Sequence, residues 1–211
     1  MRTLLIVSGG DSPGINAALY RFALLADQWG DQVIGAVGGV AGAVEGHLTD
    51  IRPELLAPFA GSGGTYLSTS REPTLNDPHN RMKLSEIISR QRVDNIVLFG
   101  GDGSLRHIPP ILRDMGIDCI GIPTTIDNDV PGTDETIGFD SACNAAHRVI
   151  DGLLATGRAL PGRIFSVETL GGSTGFLALE IAYTAGAHAV LVPEYEYDLD
   201  WLADRLSQAA D

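Results

Sequence analysis

Carboxylate-bearing loops, two of them rich in glycine, recur three times in this chain, each placed just after a short apolar run. Gly9, Gly10 and Asp11 follow the run 3–7, and Ser12, Pro13 and Gly14 complete that loop. Gly100, Gly101, Asp102, Gly103 and Ser104 follow the run 95–99, and Thr124, Thr125, Ile126, Asp127, Asn128 and Asp129 follow the run 119–122. Glycine lets a backbone approach a phosphate closely, and the free N–H groups of a following helix attract its negative charge. Hard carboxylate oxygens suit magnesium, and a positioned carboxylate can take a proton from a hydroxyl. In a parallel α/β sheet, loops at the carboxyl ends of strands are where ligands bind. Together the three loops predict phosphoryl chemistry.

Taken singly, the loops differ in force. Residues 9–14 fit an ordinary strand-to-helix turn equally well. Residues 100–104 are sharper, because a solvated loop aspartate gives no reason for three glycines around Asp102. In the third loop, an extended backbone puts Asp127 and Asp129 on one side, where one carboxylate or a nearby cation could tune the other. A local Asx-turn is the competing reading. His107 reads as a surface histidine rather than a ligand.

The elements that must hold these loops alternate along the chain. Strands are expected at 3–7, 32–37, 95–99, 118–122, 163–167 and 188–192. Helices are expected at 15–29, 80–92, 105–115 (weakened by Pro109 and Pro110), 141–156, 174–185 and 199–209. Residues 38–70 are glycine-rich and read as loops with short elements. The alternation predicts an α/β fold, a mostly parallel sheet with helices on both faces. A domain change is placed after Asp140, giving a nucleotide- and phosphate-binding domain at 1–140 and a partial sugar-phosphate-binding α/β domain at 141–211. With two strands the second is thin, because such a sheet covers little core.

The chain has 211 residues, enough for a proper core, and a formal net charge of −13, which opposes unaided nucleic-acid binding. Cys119 and Cys143 have no framework spacing and read as free thiols of a reducing compartment. No apolar run is long enough to span a membrane, and the opening residues lack a signal-peptide pattern, so a cytoplasmic protein is expected.

In combination and order, the three loops resemble the signature segments of 6-phosphofructokinases. Residues 132–139, Gly63 and Gly64 leading to Arg71, residues 163–168 and residues 187–194 continue the likeness over nearly the whole chain. The resemblance implies transfer of the γ-phosphoryl of ATP to the 1-hydroxyl of fructose 6-phosphate, with Mg2+. It implies that Asp127 is the general base with Asp129 assisting, and that Asp102 helps hold the magnesium. Gly10, Gly103 and Ser104 would line the nucleotide phosphates, and Arg71 would reach the transferring group. Thr125 would contact the sugar and its reacting phosphate. Arg163, Leu170 and Gly171 fall at sugar-phosphate-binding positions, with Arg163 acting across a subunit boundary in a homo-oligomer, a dimer or tetramer.

Pyrophosphate-using members place an aspartate at Gly103 and a lysine at Thr124, so ATP is the expected donor. The sequence departs from the pattern in three respects. Gly172 replaces an arginine that contacts the transferring group, residues 105–110 differ from the usual lining of the adenine pocket, and Tyr20 and Leu24 replace effector-binding arginines. The family's C-terminal third is also missing, which reads as a fragment. A regulatory or binding paralogue, and a kinase for another sugar phosphate, are the alternatives.

Overall fold

The computed structural model describes residues 1–71 and 73–210. The chain divides into two units, one formed by Met1–Thr125 with Val130–Thr133, the other by Ile126–Asp129 with the chain from Asp134 onward. Where the sequence suggests one boundary after Asp140, the chain passes between the units three times near residues 125–134.

The first unit begins with β1 (Arg2–Ser8), α1 (Ile15–Trp29), β2 (Gln32–Ala36), α2 (Gly39–Glu45), β3 (Leu48–Asp50) and the short α3 (Pro53–Leu56). It continues through α4 (Pro78–Gln91), β4 (Asn95–Gly100), α5 (Asp102–Asp114) and β5 (Cys119–Thr125). Its strands lie in the order β3-β2-β1-β4-β5, parallel except for β3, which runs against β2. Burial explains the unbroken apolar runs. Leu4 and Ile6 of β1 join Ile96 and Leu98 of β4 in one core with α2, α4 and α5, while Leu5, Val7, Val97 and Phe99 join α1 and α3 in a second core on the other face. Both faces of each strand are covered, so no polar alternation survives. The reversal between β4 and β1, whose crossovers lead to opposite sides of the sheet, leaves loops at its carboxyl edge free to form a crevice.

α5 starts at Asp102, three residues before the expected helix, and runs through Pro109 and Pro110. Each proline removes one helical hydrogen bond. Leu105, Ile108 and Ile111 packing onto the core with buried Leu112 offset that loss.

The second unit contains β6 (Ile137–Gly138), α6 (Phe139–Ala159), α7 (Phe176–Ala185) and α8 (Leu199–Ala210). Its small core gathers Cys143, Leu177 and Ile181 with Ile126, Phe139 and Ile150 packed against them. The strands expected at 163–167 and 188–192 are not formed. Ile164, Phe165, Val167, Val190 and Leu191 are all exposed, and neither segment has a ladder neighbour among the described residues. An apolar pattern favours a strand only when another strand is there to accept its backbone hydrogen bonds.

Candidate active site

In the first unit, the carboxyl ends of β1 and β4 are stitched to the segment before Arg71. Ser8 forms a parallel bridge with Ser70, the Gly9 N–H donates to the Ser70 carbonyl at 2.9 Å, and Thr69 Oγ1 donates to the carbonyls of Val7 and Gly9 at 3.0 Å each. Ser104 Oγ donates to Ser8 Oγ at 3.1 Å, which ties the start of α5 to the end of β1. The Arg71 guanidinium passes so close to Gly10 that a Cβ there would lie 2.7 Å from Arg71 Nη2. Glycine is required at position 10 for that approach. Gly9, with φ +101°, needs glycine for its backbone conformation instead.

α5 opens after Gly101, whose position carries no side-chain cap, so its first N–H groups remain free for an anion. Gly103 faces open space, since a Cβ added there would meet nothing within 4 Å. Ser8, Gly9, Arg71, Gly103 and Ser104 line a cavity of about 360 Å³. Val40, Leu75, Ile108 and Ile111 add apolar surface to its walls. His107 is exposed, as the sequence suggests, and also lines this cavity. The i, i+4 geometry accounts for this, because Gly103 and His107 share one face of α5.

Asp102 sits in the first turn of α5 and pairs with Arg106 Nη2 through Oδ1 at 2.9 Å. Its other oxygen has no such cation, and the side chain is partly exposed. Among the described residues no group of three or more His, Cys, Asp or Glu is arranged to hold a metal. That leaves a magnesium ion the manner it commonly uses, one or two carboxylates with substrate phosphates and water. Thr125 closes β5 beside Gly101, where a Cβ on the glycine would lie 3.4 Å from Thr125 Cβ. Thr124 is buried and donates its hydroxyl to the Ile122 carbonyl at 2.9 Å, so its side chain is spent within the strand end.

In the second unit, Asp127 and Asp129 flank Asn128, which has φ +53°. The segment is therefore not extended, and the two carboxylates are not placed by simple strand alternation. Asparagine tolerates this left-handed conformation and bonds locally. Asn128 Oδ1 accepts from the Thr136 N–H at 2.8 Å and from Thr136 Oγ1 at 3.2 Å, and Asn128 Nδ2 donates to the Asp134 carbonyl at 3.3 Å. Asn128 is a clamp that fixes both aspartates, and its only sequence signal was the Asx-turn alternative. Asp129 Oδ1 is shielded from solvent and accepts no hydrogen bond among the described residues. Such an orphaned oxygen suits a cation or a ligand hydroxyl.

The loop after Glu168 supplies the other wall of this group. Gly171 (φ +156°) accepts from Thr174 N and Thr174 Oγ1 at 3.0 Å each, and Gly172 (φ +61°) places its Cβ position 3.9 Å from Asp127 Oδ2. A side chain at 172 would begin beside that carboxylate. Leu170 is 73% exposed and Arg163 is exposed, so neither is drawn into the group. Glu194 accepts from the Gly175 N–H at 2.7 Å, capping α7 with the chain's own carboxylate. Neither cysteine is an activated nucleophile. Burial pushes the Cys119 thiol up to about 11, and burial followed by the nearby Glu180 and Asp140 carboxylates raises that of Cys143.

A mostly parallel sheet with helices on both faces and a cavity at its strand ends defines the class, a doubly wound α/β protein. The family model described as Phosphofructokinase matches residues 2–211. The chain belongs to the phosphofructokinase family. It is 37% identical over 207 residues to the ATP-dependent 6-phosphofructokinase of Bacillus cereus (strain B4264), covering 98% of this chain and 64% of that relative. The chain therefore spans about 64% of the length of the curated relatives it matches. The structure of phosphofructokinase from Saccharomyces cerevisiae superposes with a TM-score of 0.86 at 27% identity, over 98% of this chain and 31% of that one. A pyrophosphate-dependent phosphofructokinase from Marinobacter aquaeolei shares the fold, with a TM-score of 0.79 at 22% identity over 98% of this chain and 56% of that one. Among the described residues, no helix is long and apolar enough to cross a membrane.

Proposed function

We propose that this chain is the phosphoryl-transfer part of an ATP-dependent 6-phosphofructokinase, which moves the γ-phosphoryl of ATP to the 1-hydroxyl of fructose 6-phosphate. The observation that carries the reading is the cavity at the strand ends, which Gly9, Arg71, Gly103 and Ser104 line together with apolar Val40, Leu75, Ile108 and Ile111. That mixed lining fits a triphosphate joined to a base. Pyrophosphate has no use for the apolar walls, so ATP is the better donor.

The N–H groups at the start of α5 and the Arg71 guanidinium hold phosphate oxygens and orient the chain of phosphates in line. Asp127 takes the proton of the 1-hydroxyl as its oxygen bonds to phosphorus and the bond to ADP breaks. Asn128 keeps Asp127 and Asp129 in place. Thr125 orients the sugar and its reacting phosphate, and Arg163, Leu170 and Gly171 belong to the sugar-phosphate side. The free Asp102 oxygen fits magnesium, which when bound would neutralise phosphate charge. A cytoplasmic homo-oligomer, a dimer or tetramer, is the setting this reading implies, and the two free cysteines suit it.

One observation favours a second reading. Gly172 brings no cation to Asp127, although its position would start a side chain beside that carboxylate. A binding or regulatory paralogue would retain the cavity and lose the turnover. Incubation with magnesium, fructose 6-phosphate and either ATP or pyrophosphate separates these readings. The proposal expects fructose 1,6-bisphosphate from ATP. Product from pyrophosphate alone, or nucleotide binding without product, would count against it.

A further inference from the structure

The cavity beside α5 contains a polar group that the phosphates do not need. His107 lies about one helical turn beyond Gly103, roughly 6 Å further along α5 from its N-terminus. Its Nδ1 is 2.8 Å from the Gly103 carbonyl oxygen. A carbonyl oxygen only accepts, so Nδ1 carries the proton of the neutral ring and donates it. Nε2 is then left as a lone-pair acceptor.

Val40, Leu75, Ile108 and Ile111 offer apolar faces that hold any planar ring equally. Asn76 and Thr74 also line the cavity, but an amide or a hydroxyl can turn either polarity toward a ligand. Of the other described polar side chains in the lining, Arg71 only donates, whereas His107, whose tautomer is set by its own helix, offers a fixed acceptor.

We propose that His107 selects the base of the nucleoside triphosphate, its Nε2 accepting from the exocyclic amino group of a 6-aminopurine and disfavouring a 6-oxopurine. A 6-oxo group in the same place would set one acceptor against another, and the ring would have to shift for its N1–H to reach Nε2 instead. The inference rests on reading this cavity as a nucleoside triphosphate site.

Calorimetric titration of the 211-residue chain and its variants with ATP, ITP and pyrophosphate tests it. ATP and ITP differ at the 6-substituent, amino in one and oxo in the other, and at N1, an acceptor in one and an N–H donor in the other. The unsubstituted chain is expected to bind ATP about tenfold or more tighter than ITP. His107→Leu, which keeps bulk and removes the acceptor, should weaken ATP binding and bring the ratio close to one. His107→Gln should hold ATP and gain ITP, because its amide can present either polarity. An ATP-to-ITP ratio unchanged in His107→Leu, with ATP still bound, would overturn the role of His107 and leave the ATP site standing. No discrimination in the unsubstituted chain would overturn it likewise. Binding of pyrophosphate without ATP would remove both the nucleotide reading and this inference.

Discussion

Replacing Gly10 by alanine isolates the contribution of Arg71 to phosphate binding. The new Cβ would lie 2.7 Å from Arg71 Nη2, so the guanidinium must retreat by about 0.7 Å to reach the 3.4 Å of ordinary contact. A hydrogen bond near 2.9 Å would then stretch to roughly 3.6 Å, which is no longer a bond. Losing one charge-assisted hydrogen bond costs about 1.5–3 kcal/mol, or roughly 10- to 150-fold in ATP affinity. Gly10 lies outside the left-handed region, so the alanine should not lower thermal stability and could raise it slightly. Calorimetric ATP titrations of Gly10→Ala, Arg71→Ala and the double variant complete the test. Because Gly10 acts through Arg71, the double variant should bind no more weakly than Arg71→Ala. Unchanged affinity in Gly10→Ala, or fully additive losses, would refute the reasoning.

Asp127→Ser should lower turnover by roughly 10²–10⁴-fold, the span of a lost general base, while calorimetry shows ATP still bound. Asn128→Ala loses the hydrogen bonds to Thr136 and Asp134 and keeps a left-handed alanine, so denaturant unfolding should show it destabilised by roughly 2–3 kcal/mol. Asn128→Gly removes the backbone cost and should recover about 1 kcal/mol of that. Gly103→Asp should fold normally, since open space faces that position, yet lose ATP binding relative to pyrophosphate in competition titrations. Cys119, raised from 9.0 to about 11 by burial, holds its proton in the folded chain after the unfolded chain has lost it. Its stabilising effect is full below about pH 9 and fades as pH rises through about 11, so Cys119→Ser should show a flatter loss of stability there.

Strands with both faces buried announced themselves through apolar runs, and Ile15–Trp29 was legible to the residue because Gly14 and Gly30 bracket it in left-handed conformations. The start of α5 was not, since Asp102, Gly103 and Ser104 favour caps and loops, and only a parallel strand ending at Gly100 turns them into a first helical turn. Residues 163–167 and 188–192 carry strand-like patterns, but pattern cannot supply the neighbouring strand that pairing requires. Within the site, residue type alone flagged Gly10 and Gly103. His107 escaped because its significance lies in a helical turn shared with Gly103 and in apolar walls contributed by α2 and the turn at Leu75, far away in sequence. Asn128 escaped because φ +53° is invisible in a run whose residue types suit an extended chain equally well.

Phosphorus NMR of the protein with magnesium, fructose 6-phosphate and ATP, run beside a pyrophosphate reaction and an Asp127→Ser control, addresses the transfer itself. The account predicts the 1-phosphate resonance of fructose 1,6-bisphosphate growing with ADP, and its near-disappearance in the control. Product made from pyrophosphate and not ATP, or ATP bound with no product at all, would contradict it.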